Sequence, residues 1–403
     1  MYCGGQGVYV YYLARALRDL GHEVEILSGP PYVRPPDGVA LHKLEGLNLY
    51  ETDGFSMLSH PIRMFTPLNL YEAAAVHIGF FPDILTFSVR AYVKLHELMS
   101  RRRFDVIHDN QTLGYGLLLM KGLGAPVVAT IHHPITVDLA ASLEESKTWR
   151  RRLRWALFYS FLTMQGIVSR RMDRVISVSG ASGEDTIRAF RLRRERVRTV
   201  HNGIDTDIFR RLEHVERVPN RVVIVGKAED RKKGVPFLLE AVRLLKDDVD
   251  VNVCVVGGQG PDGYGARLVQ ELGIGDRVTF TGQLDTEELV RLYSSAAIAV
   301  TASLYEGFGL PAAEAMACGT PVIASRAGAL PEIVGDDGSG MLVPPADPPA
   351  LAAAIKDLLS DDALRLKMGE AARRRIEQRF SWEVAARETV RVYEELLPAR
   401  AAL

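Results

Sequence analysis

Two doubly wound α/β units in tandem are what this sequence predicts, and three observations predict them. Short, almost purely apolar segments such as VVATI at 127–131 and AIAVT at 297–301 alternate with amphipathic helical stretches. That alternation marks parallel strands covered on both faces. The pattern pauses near 205–218 and then restarts, and 403 residues suffice for two full cores. The divisions expected are 1–213, 214–379 and a closing helix within 380–403 that packs back towards the first half.

Composition narrows the class without naming a chemistry. The chain is 47% hydrophobic and 25% charged, ordinary for a soluble globular protein. No apolar run approaches the roughly 20 residues of a membrane span, and no signal peptide is visible. Cys3, Cys254 and Cys318 are too scattered for a disulfide framework or a metal site, so a reducing, cytoplasmic compartment is expected. Residues 1–211 carry 27 Lys+Arg against 21 Asp+Glu, which is +6, and the remainder 22 against 29, which is −7. This asymmetry suits an anionic acceptor or surface facing the first half. No nucleic-acid module is recognisable.

The chain opens on Gly4-Gly5-Gln6-Gly7, read as a loop running into a helix from Val8 to Leu20, with Gly21 closing it and a strand at Glu23 to Leu27. Such a unit normally has a strand in front of it. None fits before Gly4, so the first strand of this N-terminal unit is expected to be missing, the true start lying upstream. Further strands read at 39–44, 105–109, 126–131, 174–179 and 197–201. Residues 45–82, aromatic and proline-punctuated, show no clear period and read as irregular. Residues 147–174 hold eight Lys+Arg against one acid, interleaved with Trp149, Trp155, Phe158, Tyr159 and Phe161. This basic aromatic helix either packs into the fold with a solvated arginine face or lies on an anionic membrane surface. In the second half, RVVIVG, VNVCVV, VTFTG, AIAVT, PVIA and MLV read as strands, and Trp382 to Leu396 as the last helix.

In open parallel sheets ligands bind outside the carboxyl ends of the strands, and the informative residues sit there. After the strand ending at Val225 comes GKAEDRKKG, which crowds Lys227, Arg231, Lys232 and Lys233 before a helix starting near Val235. A helix N-terminus fronted by lysines suits a diphosphate; a solvated basic turn is the competing reading. Gly257-Gly258-Gln259-Gly260-Pro261 lacks the G-x-G-x-x-G spacing and reads as a tight turn, which argues against a nicotinamide enzyme. VVATI ends in His132-His133, a placement useful near neutral pH, with no metal-ligand spacing around it. The most telling stretch is YEGFGLPAAEAMACGTPV at 305–322. Pro311 fits a first helical position and Gly319 a stop, giving a helix over Ala312 to Cys318. Glu306 and Glu314 then bracket the amides of Phe308, Gly309 and Leu310 beside the helix's positive end. Amides there can hold phosphate or sugar oxygens while the carboxylates accept from hydroxyls. A glycine-rich turn with two solvated glutamates is the alternative.

With these residues in place, the chain resembles the retaining glycosyltransferases of family 4 over nearly its whole length. The resemblance rests on E-G-F-G-L-P-x-x-E-A-M-A-x-G-x-P-V from Glu306, on VTFTGQLDTEELVRLYSSAAIAVTAS before it and on VHNGIDTDIF at 200–209. Further matches are GG-x-G near the start, T-x-H at 130–132 and F-S-W at 380–382. It implies the glycosyltransferase-B architecture of two facing Rossmann-like domains, and transfer of a sugar from a nucleotide diphosphate sugar with neither metal nor cofactor. Carried over by position, it implies that Glu314 bonds the donor's ribose, and that Glu306 holds the sugar hydroxyls with the backbone of Phe308, Gly309 and Leu310. Lys227 and Lys233 would neutralise the diphosphate, approached also by Gly5. His132 would sit by the transferred sugar, and the backbone at Leu284 would meet the base. His132, Glu306 and Lys233 are thus expected closest to the chemistry. Lys227 stands where the family usually has arginine, so a bidentate grip becomes a single-point one. A sugar-nucleotide epimerase and a non-catalytic nucleotide-sugar-binding protein are the competing functions. A lipid-linked acceptor, met peripherally at the inner face of a membrane through residues 147–174, is the expectation from the basic stretch.

Overall fold

The chain divides in two. The first unit takes in the described residues within 1–178, 182–200 and 385–403, the second those within 179–181 and 201–384. The computed structural model describes residues 4–47, 66–144, 146, 148–257 and 263–398. Cys3, Lys147, residues 48–65 of the stretch read as irregular and Gly258 to Pro261 of the glycine turn lie outside the described residues.

In chain order the first unit runs α1 (Gly4–Asp19), β1 (Glu25–Ser28), β2 (Ala40–Lys43), α2 (Pro67–Ile78), α3 (Asp83–Met99), β3 (Ile107–Asn110) and α4 (Gly116–Met120). It continues through β4 (Val127–Ile131), α5 (Thr136–Glu144), α6 (Trp149–Phe158), α7 (Phe161–Ser169), β5 (Arg174–Ser177), α8 (Gly180–Phe190) and β6 (Val197–Thr199). Strands β3, β4, β5 and β6 form a parallel sheet in that order, while β1 and β2 pair in parallel as a sheet of their own. Every residue of β4 is buried, and its two-residue period feeds two cores. Val127, Ala129 and Ile131 pack with Leu95, Leu117 and Phe161. Val128, facing the other way, packs with Ile176, Val200 and Val392. Each buried Val, Leu, Ile or Phe among them stabilises the fold by about 1.5–3 kcal/mol relative to exposure.

Three expectations fail here. Helix α1 begins at Gly4, not Val8, so the glycines form its first turns rather than a loop ahead of it. Residues 67–78 are helical rather than irregular: the Thr66 side chain caps the Asn69 amide, Pro67 opens the first turn and Gly79 ends the helix in a left-handed conformation. The apolar period was hidden because this helix is inverted. Its buried residues include Asn69 and Glu72, and Glu72 is paired with Arg90 and bonded by Thr86, whereas Leu70, Tyr71, Val76 and Ile78 are exposed. The basic stretch, third, is two helices, broken after Phe158. Phe158 and Phe161 turn inward, Phe158 lying 5.3 Å from Phe81 and 6.4 Å from Phe161, whereas Trp149 and Arg150, Arg151, Arg152 and Arg154 are exposed.

The second unit runs β7 (Val218–Val225), α9 (Val235–Leu245), β8 (Asn252–Val256), α10 (Tyr264–Leu272), β9 (Val278–Gly282), α11 (Thr286–Ser295) and β10 (Ala296–Thr301). Then come α12 (Leu310–Ala317), β11 (Val322–Ser325), α13 (Leu330–Val334), β12 (Met341–Val343), α14 (Pro348–Ser360), α15 (Asp362–Arg379) and α16 (Trp382–Glu394), of which the residues from Ala385 on belong to the first unit. Its six strands are all parallel, in the order β12-β11-β10-β7-β8-β9. Counted within the unit that is 6-5-4-1-2-3, the doubly wound order of dinucleotide-binding sheets. Strand β10, AAIAVT, is buried throughout, and Val222, Ile224, Leu238, Leu239 and Ile355 anchor its core.

Candidate active site

The strand order of the second sheet fixes where a ligand can sit. The winding reverses between β7 and β10, and a crevice opens at such a point beyond the carboxyl ends. The loops that follow these two strands touch. The amide of Leu304 donates to the carbonyl of Lys232 at 2.8 Å. Gly234, at φ +70°, comes so near β10 that a Cβ would lie 1.8 Å from the Ala302 carbonyl oxygen, so only glycine fits. As a result Lys233 Nζ meets Glu306 Oε1 at 2.9 Å. Ser303 Oγ donates to the same oxygen at 2.8 Å. Glu306 Oε2 accepts from no described residue. Lys227, at the end of β7, is exposed and pairs with no acid among the described residues.

The remaining residues singled out in this unit are placed as follows. Gly309, at φ +103°, is the residue before α12, and Leu310 is the helix's first residue, 40% exposed. Phe308 is buried with its ring 6.2 Å from that of Phe380 and 6.4 Å from that of His201. Its side chain is therefore a packing wedge, and only its backbone is left for a ligand. Leu284 is half-buried beside Asp285, which caps α11 through a reciprocal bond with Glu288. It follows the edge strand β9, two places from β7.

Glu314 makes no direct bond to Glu306 or to either lysine. It retains some surface exposure, yet the protein packed around its carboxyl pushes its pKa up to about 8, partly offset by the neighbouring Tyr293 hydroxyl. That hydroxyl is itself buried and meets hydrogen-bond geometry with no described residue. A carboxyl neutral near pH 7 can both donate and accept.

In the first unit, Gly5 lies in the opening turn of α1. His132 follows β4, its Nε2 2.8 Å from Asn110 Oδ1. Burial, then the nearby His133 and His108, hold its pKa down at about 4, so the ring is neutral at ordinary pH. Behind it runs a buried polar chain: Tyr393 to His108 Nδ1 at 2.6 Å, His108 Nε2 to Thr130 at 2.7 Å, and Thr130 to Tyr9 at 3.2 Å. Ser303, Asn110, Gln111 and Tyr9 were not singled out from the sequence. For Ser303 and Asn110 a signal existed, a polar residue at a strand's carboxyl end.

Family resemblance to known proteins extends over both halves of the chain. Residues 206–375 match the family described as glycosyl transferases group 1, and residues 3–208 that described as Glycosyltransferase Family 4. An MMP alpha-(1->4)-mannosyltransferase of Mycolicibacterium hassiacum is 43% identical over 409 residues, spanning 100% of this chain and 97% of the relative. A D-inositol 3-phosphate glycosyltransferase of Corynebacterium diphtheriae is 30% identical over 97% of this chain and 89% of its own. Among solved structures, sucrose-phosphate synthase of Thermosynechococcus elongatus aligns with a TM-score of 0.70 and 27% identity over 98% of this chain and 94% of that one.

Proposed function

We propose that this chain, which belongs to the family 4 glycosyltransferases, moves a hexose from a nucleotide diphosphate sugar to an acceptor with retention and without a metal. The observation that carries the reading is the 2.9 Å contact of Lys233 with Glu306 at the switch point, with Lys227, at the end of β7, paired with no acid among the described residues. As the sugar leaves, negative charge builds on the diphosphate, and preorganised donors stabilise it. An ammonium has three N–H donors; one of Lys233's is directed at Glu306, and the others suit a phosphate oxygen. Glu306 Oε2 suits a sugar hydroxyl, with the backbone of Phe308, Gly309 and Leu310 beside it. We assign Glu314 to the ribose, Leu284 to the base, Gly5 to the diphosphate and His132 to the transferred sugar. The mannosyltransferase among the relatives supports a hexose.

Retention follows if the acceptor oxygen bonds to the anomeric carbon on the face the diphosphate leaves, its proton passing to the departing phosphate oxygen. Glu306 is held through Oε1 by a lysine and a serine, an arrangement for gripping rather than for attack, which favours this route over a covalent sugar–enzyme intermediate. Thermal unfolding with UDP-, GDP- and ADP-sugars tests the donor. A ligand at 100 times its Kd adds about 2.7 kcal/mol of stability, so at least one is expected to raise Tm by a few degrees. No shift with any of them contradicts the reading. An epimerase would instead turn that donor alone into a new nucleotide sugar.

The arginine face of α6 extends the proposal to an anionic, membrane-held acceptor. Arg150, Arg151, Arg152 and Arg154 are exposed, Trp149 is 70% and Leu153 51% exposed, and a hollow of about 460 Å³ lies among Thr148, Arg150, Arg151, Arg154 and Trp155. No helix among the described residues is long and apolar enough to cross a membrane, so such contact would be peripheral. More protein is expected to sediment with anionic vesicles than with neutral ones, and equal amounts would end the membrane reading.

A further inference from the structure

The backbone after β3 is strained, and strain of this kind persists only where its surroundings impose it. Gln111 and Leu113 hold φ of +58° and +52° without being glycine. What the unusual turn secures is a grip on His132. The last paired residues of β3 and β4 are Asn110 and Thr130. One step beyond, the buried Gln111 side chain takes over from the ladder. Its Oε1 accepts from the His132 amide at 2.7 Å, and its Nε2 donates to the His133 carbonyl at 2.8 Å.

Asn110 holds the ring. Its Oδ1 lies 2.8 Å from His132 Nε2, and its Nδ2 donates to the Gln6 carbonyl at 3.2 Å. The second bond fixes which way the amide points, because only the NH2 group can donate to a carbonyl. An amide oxygen only accepts, so His132 Nε2 must carry the proton. Tyr9 packs its ring 4.7 Å from the imidazole at 85°, and Ser182 Oγ donates to the His132 carbonyl at 2.8 Å. Amide, carbonyl and ring of one histidine are all held.

We propose that Asn110 and Gln111 are positioning residues that lock His132 as its Nε2–H tautomer and present Nδ1 as a hydrogen-bond acceptor for a hydroxyl of the bound sugar. This rests on the assignment of His132 to the transferred sugar, and it makes that residue an acceptor rather than a carrier of protons. A ring held neutral by burial suits the role.

The tautomer can be read without any ligand, from the nitrogen shifts of His132 in protein labelled with 15N-histidine. Wild type is expected to show the Nε2–H form, and Asn110→Ala a mixture with Nδ1–H. Asn110→Asp keeps an acceptor in place and is expected to restore Nε2–H. Asn110→Ser serves as the truncation if the alanine variant does not fold. An Nδ1–H wild type, or a truncated variant indistinguishable from wild type, would overturn the proposal. Turnover, followed as nucleoside diphosphate released from UDP-glucose or GDP-mannose, adds the second arm. His132→Gln and Asn110→Ala are each expected to lower kcat about tenfold, the effect of one hydrogen bond. The double variant should lose no more than His132→Gln alone; additive losses would show that Asn110 acts elsewhere. Wild-type turnover in His132→Gln, with the tautomer result intact, would remove the sugar assignment and leave the lock standing.

Discussion

Lys233→Ala is expected to lower turnover about 100-fold or more, the loss that follows removal of one transition-state donor, while the fold stays intact. The fold should survive because the pair it breaks is not deep: the lysine side chain is 32% exposed and the glutamate 11%. Ion pairs so near solvent contribute about 0–1 kcal/mol. Glu306 keeps its bond from Ser303, and alanine keeps the Cβ that packs against Gly226. A Tm near wild type together with collapsed kcat is therefore the signature to look for. Turnover like wild type in a folded Lys233→Ala protein would remove the phosphate assignment.

Glu314→Gln is expected to change how stability depends on pH. Packing around the Glu314 carboxyl pushes its pKa up to about 8 in the folded chain, against 4.5 for an ordinary glutamate. Between those values the folded state holds a proton that the unfolded state gives up. Stability is then fully present below about pH 4.5 and is lost as pH rises towards 8, by at most about 1.4 kcal/mol per pH unit. Glutamine cannot ionise. The variant should match wild type within about 1 kcal/mol at pH 5, as for an isosteric neutral swap, and pull ahead steadily up to pH 8. Parallel Tm curves for the two proteins would contradict a carboxyl held neutral by its packed surroundings. The same side chain carries the ribose assignment, so Glu314→Ala should raise the donor's KM, and an unchanged KM would remove that role.

The strands were legible because burial on both faces leaves an uninterrupted apolar signature, as in VVATI and AIAVT. Caps were legible where the chemistry is local: Pro311 lies in the first turn of α12, and Gly319 follows that helix at φ +67°. Helix α2 was not, since its polar residues face inward and its apolar ones outward, the reverse of the pattern that periodicity detects. The site shows the same division. Lys233 stands out before a helix start and Glu306 in a glycine-rich loop, a solvated turn being the alternative for each, but their contact depends on β7 and β10 being neighbours, which strand order decides. His132 stands out at the end of its strand. Its hold on Asn110 and Gln111 does not, because the positive φ of Gln111 that aims this hold leaves no mark in the sequence.

The most direct test is a crystal structure of the protein with a nucleoside diphosphate sugar. The expected result places diphosphate oxygens within about 3.2 Å of Lys227 and Lys233 Nζ, beyond the ends of β7 and β10, with a sugar hydroxyl on Glu306 Oε2. A nucleotide bound elsewhere, with Lys233 still directed at Glu306 alone, would contradict it.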